Sequence, residues 1–162
     1  MKKEVDLLNL HQWFSVMNSL DRSIEGIPED TAKKYIELRD ALEEDFISCL
    51  KNEVEVIYFD NMVASILITY PRIFSEKNNL IIVNYFAEKD KLTSDDVALF
   101  FKNFTQYFKN LPKNEEEKAL SCLEKFVEKT KNCMIGLGMS ALSEIYQKYP
   151  TLKFPEKFKK KL

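Results

Sequence analysis

Glycine is what this chain most lacks. Three glycines and five prolines are spread through 162 residues, and a backbone with so few turn-forming residues has few places to reverse direction tightly. A β-sandwich needs turn signals every 8 to 12 residues or so, and a dinucleotide-binding fold needs a glycine-rich loop behind its first strand. Both are disfavoured. Hydrophobic residues make up 45% and charged residues 31%, the balance of a globular chain, and one of this length can bury roughly two thirds of its unfolded surface without staples.

Apolar residues recur at helical spacing along nearly the whole sequence. Leu7, Leu10, Phe14, Met17, Leu20 and Ile24 step by three and four, widened by Leu8, Trp13 and Val16, and predict a helix over about 3–22. Pro28 suits a first helical turn, and Glu29 and Asp30 suit the positive end of a helix over about 28–51. Val54, Val56 and Tyr58 alternate as in a strand, but Phe59, Met62, Val63, Ile66, Leu67 and Tyr70 return to helical spacing before Pro71. One helix over about 53–70 is expected, with 53–59 open to being extended. Ser75 is placed to cap a fourth helix through NLIIVNYF, whose β-branched middle, 79–86, also suits a strand; a lone strand has no partner, so helix is the expectation.

TSDDVALFFKNFTQYFKNLP carries the plainest helix signal. Thr93 or Ser94 can accept the first orphan amides, Asp95 and Asp96 suit the first turn, and Val97, Phe100, Phe101, Phe104, Phe108 and Leu111 draw the buried stripe before Pro112. A last long element opens at NEEEKAL and runs through Ala119, Leu123, Phe126, Val127, Thr130, Met134 and Leu137, then Ala141, Leu142, Ile145 and Tyr149. Gly136 and Gly138 fall inside it, at about 1 kcal/mol each relative to alanine, and the apolar stripe changes line there. A kink or break at Gly136 to Gly138 is expected, with Gly138, Ser140 and Ala141 letting another helix come close. They are no dinucleotide loop, because Ala141 takes the third glycine's place and the residues before Gly136 are helical in spacing.

These segments describe an all-α fold: a compact bundle of about six helices, or a short irregular solenoid of helical hairpins. A single domain is expected over 1–152, followed by a basic tail over 153–162.

Most site chemistry is excluded by residue type. One histidine, His11, cannot supply paired Glu-x-x-His motifs or a His-Glu-x-x-His zinc site. Cys49, Cys122 and Cys133 form no CxxC and read as reduced, buried thiols. Glu43-Glu44-Asp45, Asp95-Asp96 and Glu115-Glu116-Glu117 read as solvated faces and first helical turns, since neighbours on a helix point about 100° apart. With no phosphate loop, nucleophile elbow or calcium loop, no catalytic residue, metal or cofactor is assigned, and a non-enzymatic protein is expected. The N-terminus lacks a basic-then-apolar signal pattern and the apolar runs are too short to span a bilayer, so a cytoplasmic protein without a transmembrane segment is expected.

Two features point to partners. Twelve Phe, seven Tyr and one Trp exceed the share a small bundle commonly needs, and Phe101, Tyr107 and Phe108, with Trp13 as a further contributor, are candidates for an aromatic helix surface that docks a protein or a second copy of the chain. The leading expectation is accordingly a protein-interaction module: an adaptor, inhibitor or small subunit, with a homodimer as one form. Lys153, Lys157, Lys159, Lys160 and Lys161, interleaved with Phe154 and Phe158, are candidates for contact with phosphates, which gives a nucleic-acid-associated subunit as the alternative. A bundle enclosing an apolar ligand is the third.

Overall fold

A computed structural model describes residues 7–21, 26–51, 59–69 and 75–162, and every regular element among them is helical. Two compact units are formed, Met1–Ser75 and Glu76–Leu162.

In the first unit, α1 (Leu7–Asp21) packs against α2 (Glu29–Lys51) and α3 (Phe59–Thr69). Leu10 and Phe14 of α1, Leu42, Phe46 and Leu50 of α2, and Val63, Ile66 and Leu67 of α3 lie inside at helical spacing, whereas Trp13 and Val16, expected to widen the α1 stripe, are exposed, as is Ile36 of α2. Phe14 meets Phe46 edge-on at 6.0 Å, and His11 Nε2 lies 2.9 Å from Ser65 Oγ, so the histidine is a bonded helix residue joining α1 to α3. Pro28 stands where expected, its carbonyl accepting the first amides of α2 from Thr31 and Ala32. The strand-like 53–58 and the cue at Pro71 lie outside the described residues.

One acidic cluster departs from expectation. Glu44 and Asp45 are exposed, but Glu43 is buried at 2% exposure and accepts from both the backbone N–H and the hydroxyl of Ser75, at 2.7 and 2.6 Å. Ser75 thus ties its hydroxyl and its backbone N–H to α2. A buried carboxylate needs such donors, because desolvation without them costs several kcal/mol, on the order of the net stability of a small unit.

The second unit opens with a 3-10 turn, Glu76–Asn78, that runs into α4 (Asn79–Glu88). The ambiguous 79–86 is thus helical, and α4 packs on both α5 (Ser94–Lys109) and α6 (Glu116–Lys129). Thr93 caps α5: its hydroxyl accepts from the Asp96 N–H while the Asp96 carboxylate accepts from the Thr93 N–H, a reciprocal capping box. Phe86, Phe100, Phe104 and Phe126 fill the core between these helices.

The last long element is broken, and more widely than the glycines alone predict. α6 stops at Thr130, whose hydroxyl bonds the Phe126 carbonyl at 2.8 Å; a turn over 131–134 and a 3-10 segment, Ile135–Gly138, lead into α7 (Met139–Lys148). Gly138 makes the close approach expected of it. A Cβ there would overlap the ring of Phe101 on α5, which is itself held edge-on by Phe100 and Phe126, whereas a Cβ on Gly136 would meet nothing. Gly138→Ala should therefore cost about 1–3 kcal/mol through overpacking, while Gly136→Ala should leave stability unchanged or raise it by about 0.4–1 kcal/mol; urea unfolding of the two variants checks the contrast.

Residues 153–162 do not leave the fold. Leu152, Phe154 and Phe158 are buried, the Lys153 N–H donates to Glu124 Oε1 at 2.6 Å, and a short α8 (Glu156–Lys159) follows. Among the described residues no helix is long and apolar enough to cross a membrane.

Candidate interaction surfaces

The aromatic surface expected on α5 faces inward. Phe101, Tyr107 and Phe108 are all buried, together with Val97, Phe100 and Phe104, because α5 is covered by α4 on one side and by the 3-10 segment and α7 on another. The surplus rings form a second internal contact. Phe108 meets Tyr149 edge-on at 6.0 Å, with the Lys148 ammonium 4.9 Å from the Phe108 ring centre. Of the four aromatic candidates only Trp13 remains outward, 48% exposed, with Val16 one turn further along α1 equally exposed.

Beneath Tyr107 the Glu115-Glu116-Glu117 run does more than start α6. The Tyr107 hydroxyl donates to Glu115, and burial, that bond, the Glu115 charge and Cys122 together push its phenol well above the usual tyrosine range. Burial and a bond to Glu116 raise Tyr149 in the same direction. A native phenol that keeps its proton to higher pH than the unfolded one contributes stability that is complete below about pH 10 and is lost as the pH climbs toward the native value. The stability difference between the wild type and Tyr107→Phe should thus be about 0.5–1.5 kcal/mol at neutral pH and shrink above about pH 10, as read from urea midpoints along a pH series.

The thiols offer no activated nucleophile in the core. Cys49 and Cys122 are buried, and burial first, then the negative charge of Asp45 or Glu88 respectively, raises both above the ordinary thiol range. Cys133 corrects the expectation of three buried cysteines: it lies beyond the end of α6 and is exposed.

The lysine candidates sit on an ordered scaffold. Lys153, Lys157, Lys160 and Lys161 are exposed and Lys159 partly so, while the interleaved Phe154 and Phe158 point into the core. Phe154 packs beside Tyr146 at 5.9 Å, and backbone bonds from Lys160 to Glu156 and from Lys161 to Phe158 continue the ordered chain past α8. The charge divides along the same lines as the two units. Residues 76–162 carry sixteen lysines against twelve carboxylates, a balance of +4, and 1–75 carry eight basic against fourteen acidic residues, a balance of −6. Within the second unit the whole excess comes from 153–162, with five lysines and one glutamate. This division is readable from the sequence once the boundary at 75 is known, but no composition shift marks that boundary.

These features define an all-helical protein of two compact units. Comparison with protein-family models, curated proteins and solved structures returned no match.

Proposed function

We propose that the chain is a non-enzymatic protein-interaction module of the cytosol, an adaptor, inhibitor or small subunit, whose contact face is the α1 surface bearing Trp13 and Val16. The observation that carries this reading is the placement of the chain's single tryptophan. It stands half out of the fold beside an exposed valine, while Leu10 and Phe14 of the same helix are buried. Apolar area left in water forgoes about 25 cal/mol per Å², and a tryptophan desolvated by a partner is among the side chains that contribute most to association. Ile68 of α3, also exposed, adds apolar area to the same unit.

The test places a photo-crosslinking benzoylphenylalanine at Val16 in cells, with the same residue at exposed Gln106 of α5 as control. A discrete adduct from position 16 that disappears in Trp13→Ala supports the reading, and an adduct of twice the chain's mass identifies the partner as a second copy. Absence of an adduct, or equal yield from both positions, overturns it. Trp13→Ala should cost about 1–2 kcal/mol of folding stability, because half of the ring is covered, so native helicity of the variant by circular dichroism is the check that a lost adduct reports lost contact rather than lost structure.

A further inference from the structure

We propose that the C-terminal lysine face of the second unit binds the phosphate backbone of double-stranded nucleic acid without reading its base sequence. The proposal concerns a different surface and partner from the α1 face and stands independently of it. Four observations lead to it. First, Lys153, Lys157, Lys160 and Lys161 are exposed, and among the described residues no carboxylate lies within ion-pair distance of them. Only Lys159 is paired, with Glu156 at 3.2 Å, an exposed contact that a phosphate can replace at little cost. Their charge is therefore not neutralised locally.

Second, the lysines are held in place. Buried Phe154 and Phe158 pin the segment to the unit, the Lys153 backbone is tied to Glu124, and the turn after α8 is closed by its own amides. Less backbone entropy is lost on binding than from a free tail.

Third, the rings are spent inside. A segment that enters a membrane interface puts its Phe side chains into the lipid, and a single-strand binder stacks bases on exposed aromatics; Phe154 and Phe158 are available for neither. Fourth, the cations are all lysine, point charges without the planar fork that arginine uses to read guanine edges. Contact with a regular array of phosphates is what remains, and it carries no sequence information. The charge asymmetry orients the encounter, since the +4 unit is attracted to a polyanion and the −6 unit is repelled.

The test is fluorescence anisotropy of short labelled duplexes, DNA and RNA in separate arms and each of two unrelated sequences, titrated with the full chain. Four engaged phosphates predict a slope of log affinity against log salt of about −4, which is a hundredfold or greater weakening between about 50 and 200 mM. The two sequences should bind alike. The combined variant Lys153→Gln, Lys157→Gln, Lys160→Gln and Lys161→Gln should lose at least about tenfold in affinity at low salt, and Lys160→Gln with Lys161→Gln alone should lower the slope by about 2. Because all four side chains are exposed, circular dichroism should be unchanged; should the combined variant fail to fold, the slope of the double variant decides. No duplex binding at low salt, undiminished binding by the variants, or tighter binding to a single strand would each overturn the proposal. So would binding to phosphatidylserine vesicles in preference to duplex, or lysine-dependent self-association of the protein without duplex binding.

Discussion

Phe126→Ala is expected to destabilise the second unit by about 3–5 kcal/mol, a large part of what a domain of this size has. Phe126 is fully buried on α6, and its ring lies parallel to that of Phe100 on α5, 3.7 Å between centres and 8° from coplanar, with Phe101 edge-on at 5.9 Å. Phe100 in turn stacks on Phe104 at 5.5 Å and meets Phe86 of α4 edge-on at 6.5 Å. One ring of α6 is thus the far end of an aromatic run joining three helices. Truncating it removes transfer energy and also leaves a cavity that stiff, mutually packed rings fill poorly, so the cost belongs at the upper end of the range. Phe126→Leu, which keeps most of the volume, should cost much less. Urea unfolding with near-ultraviolet circular dichroism checks both, because tyrosine and phenylalanine signals report loss of this packing. A loss under about 1 kcal/mol for the alanine variant would show that the rings do not form the centre of the unit.

The same α5 residues show how far the sequence could be read. The stripe Val97, Phe100, Phe101, Phe104 and Phe108 and the cap at Thr93 follow from spacing and residue type, since one buried face imposes its period and the first turn has amides to satisfy. The second buried face does not announce itself that way. Asn103 is buried yet polar, and it satisfies its amide by donating to the Leu99 carbonyl one turn back at 2.8 Å; Thr105 does the same with Phe101. Such residues look solvated in a sequence because their partners belong to their own helix backbone. Phe101, Tyr107 and Phe108 thus read as an outward surface in the sequence, but Gly138 of the 3-10 segment lies against Phe101, Tyr149 and Lys148 meet Phe108, and Glu115 ahead of α6 bonds Tyr107. Glu43 is the long-range version of the same limit: its donor, Ser75, is 32 residues away, and nothing local distinguishes it from Glu44. Trp13, read as widening the α1 stripe, is the aromatic candidate that stays outside.

Asp96→Ala is expected to cost about 3–5 kcal/mol, comparable to the loss of a core ring although only one carboxylate is removed. Asp96 is 3% exposed and its two oxygens accept from the Lys89 ammonium at 2.8 Å, the Thr93 N–H at 2.8 Å and the Thr93 hydroxyl at 3.0 Å. Two effects are combined here, and they separate by mutation. The capping part is worth about 1 kcal/mol, which Thr93→Ala should show alone. The remainder comes from the mostly buried Lys89 side chain, whose charge was desolvated on the condition that a carboxylate met it. Replacing lysine by an uncharged residue of similar length removes that condition, so Asp96→Ala should cost much less in a Lys89→Met background, close to the cap alone. Lys129 adds to the same corner by donating to the carbonyls of Ala87 and Lys89 at 2.6 and 3.1 Å, a cation at the negative end of α4, so its contribution should persist in both backgrounds. A double-mutant cycle in urea measures the coupling between Asp96 and Lys89 directly. Additive costs would mean that the ion pair contributes nothing beyond the cap, and that α4 and α5 are joined by their rings alone.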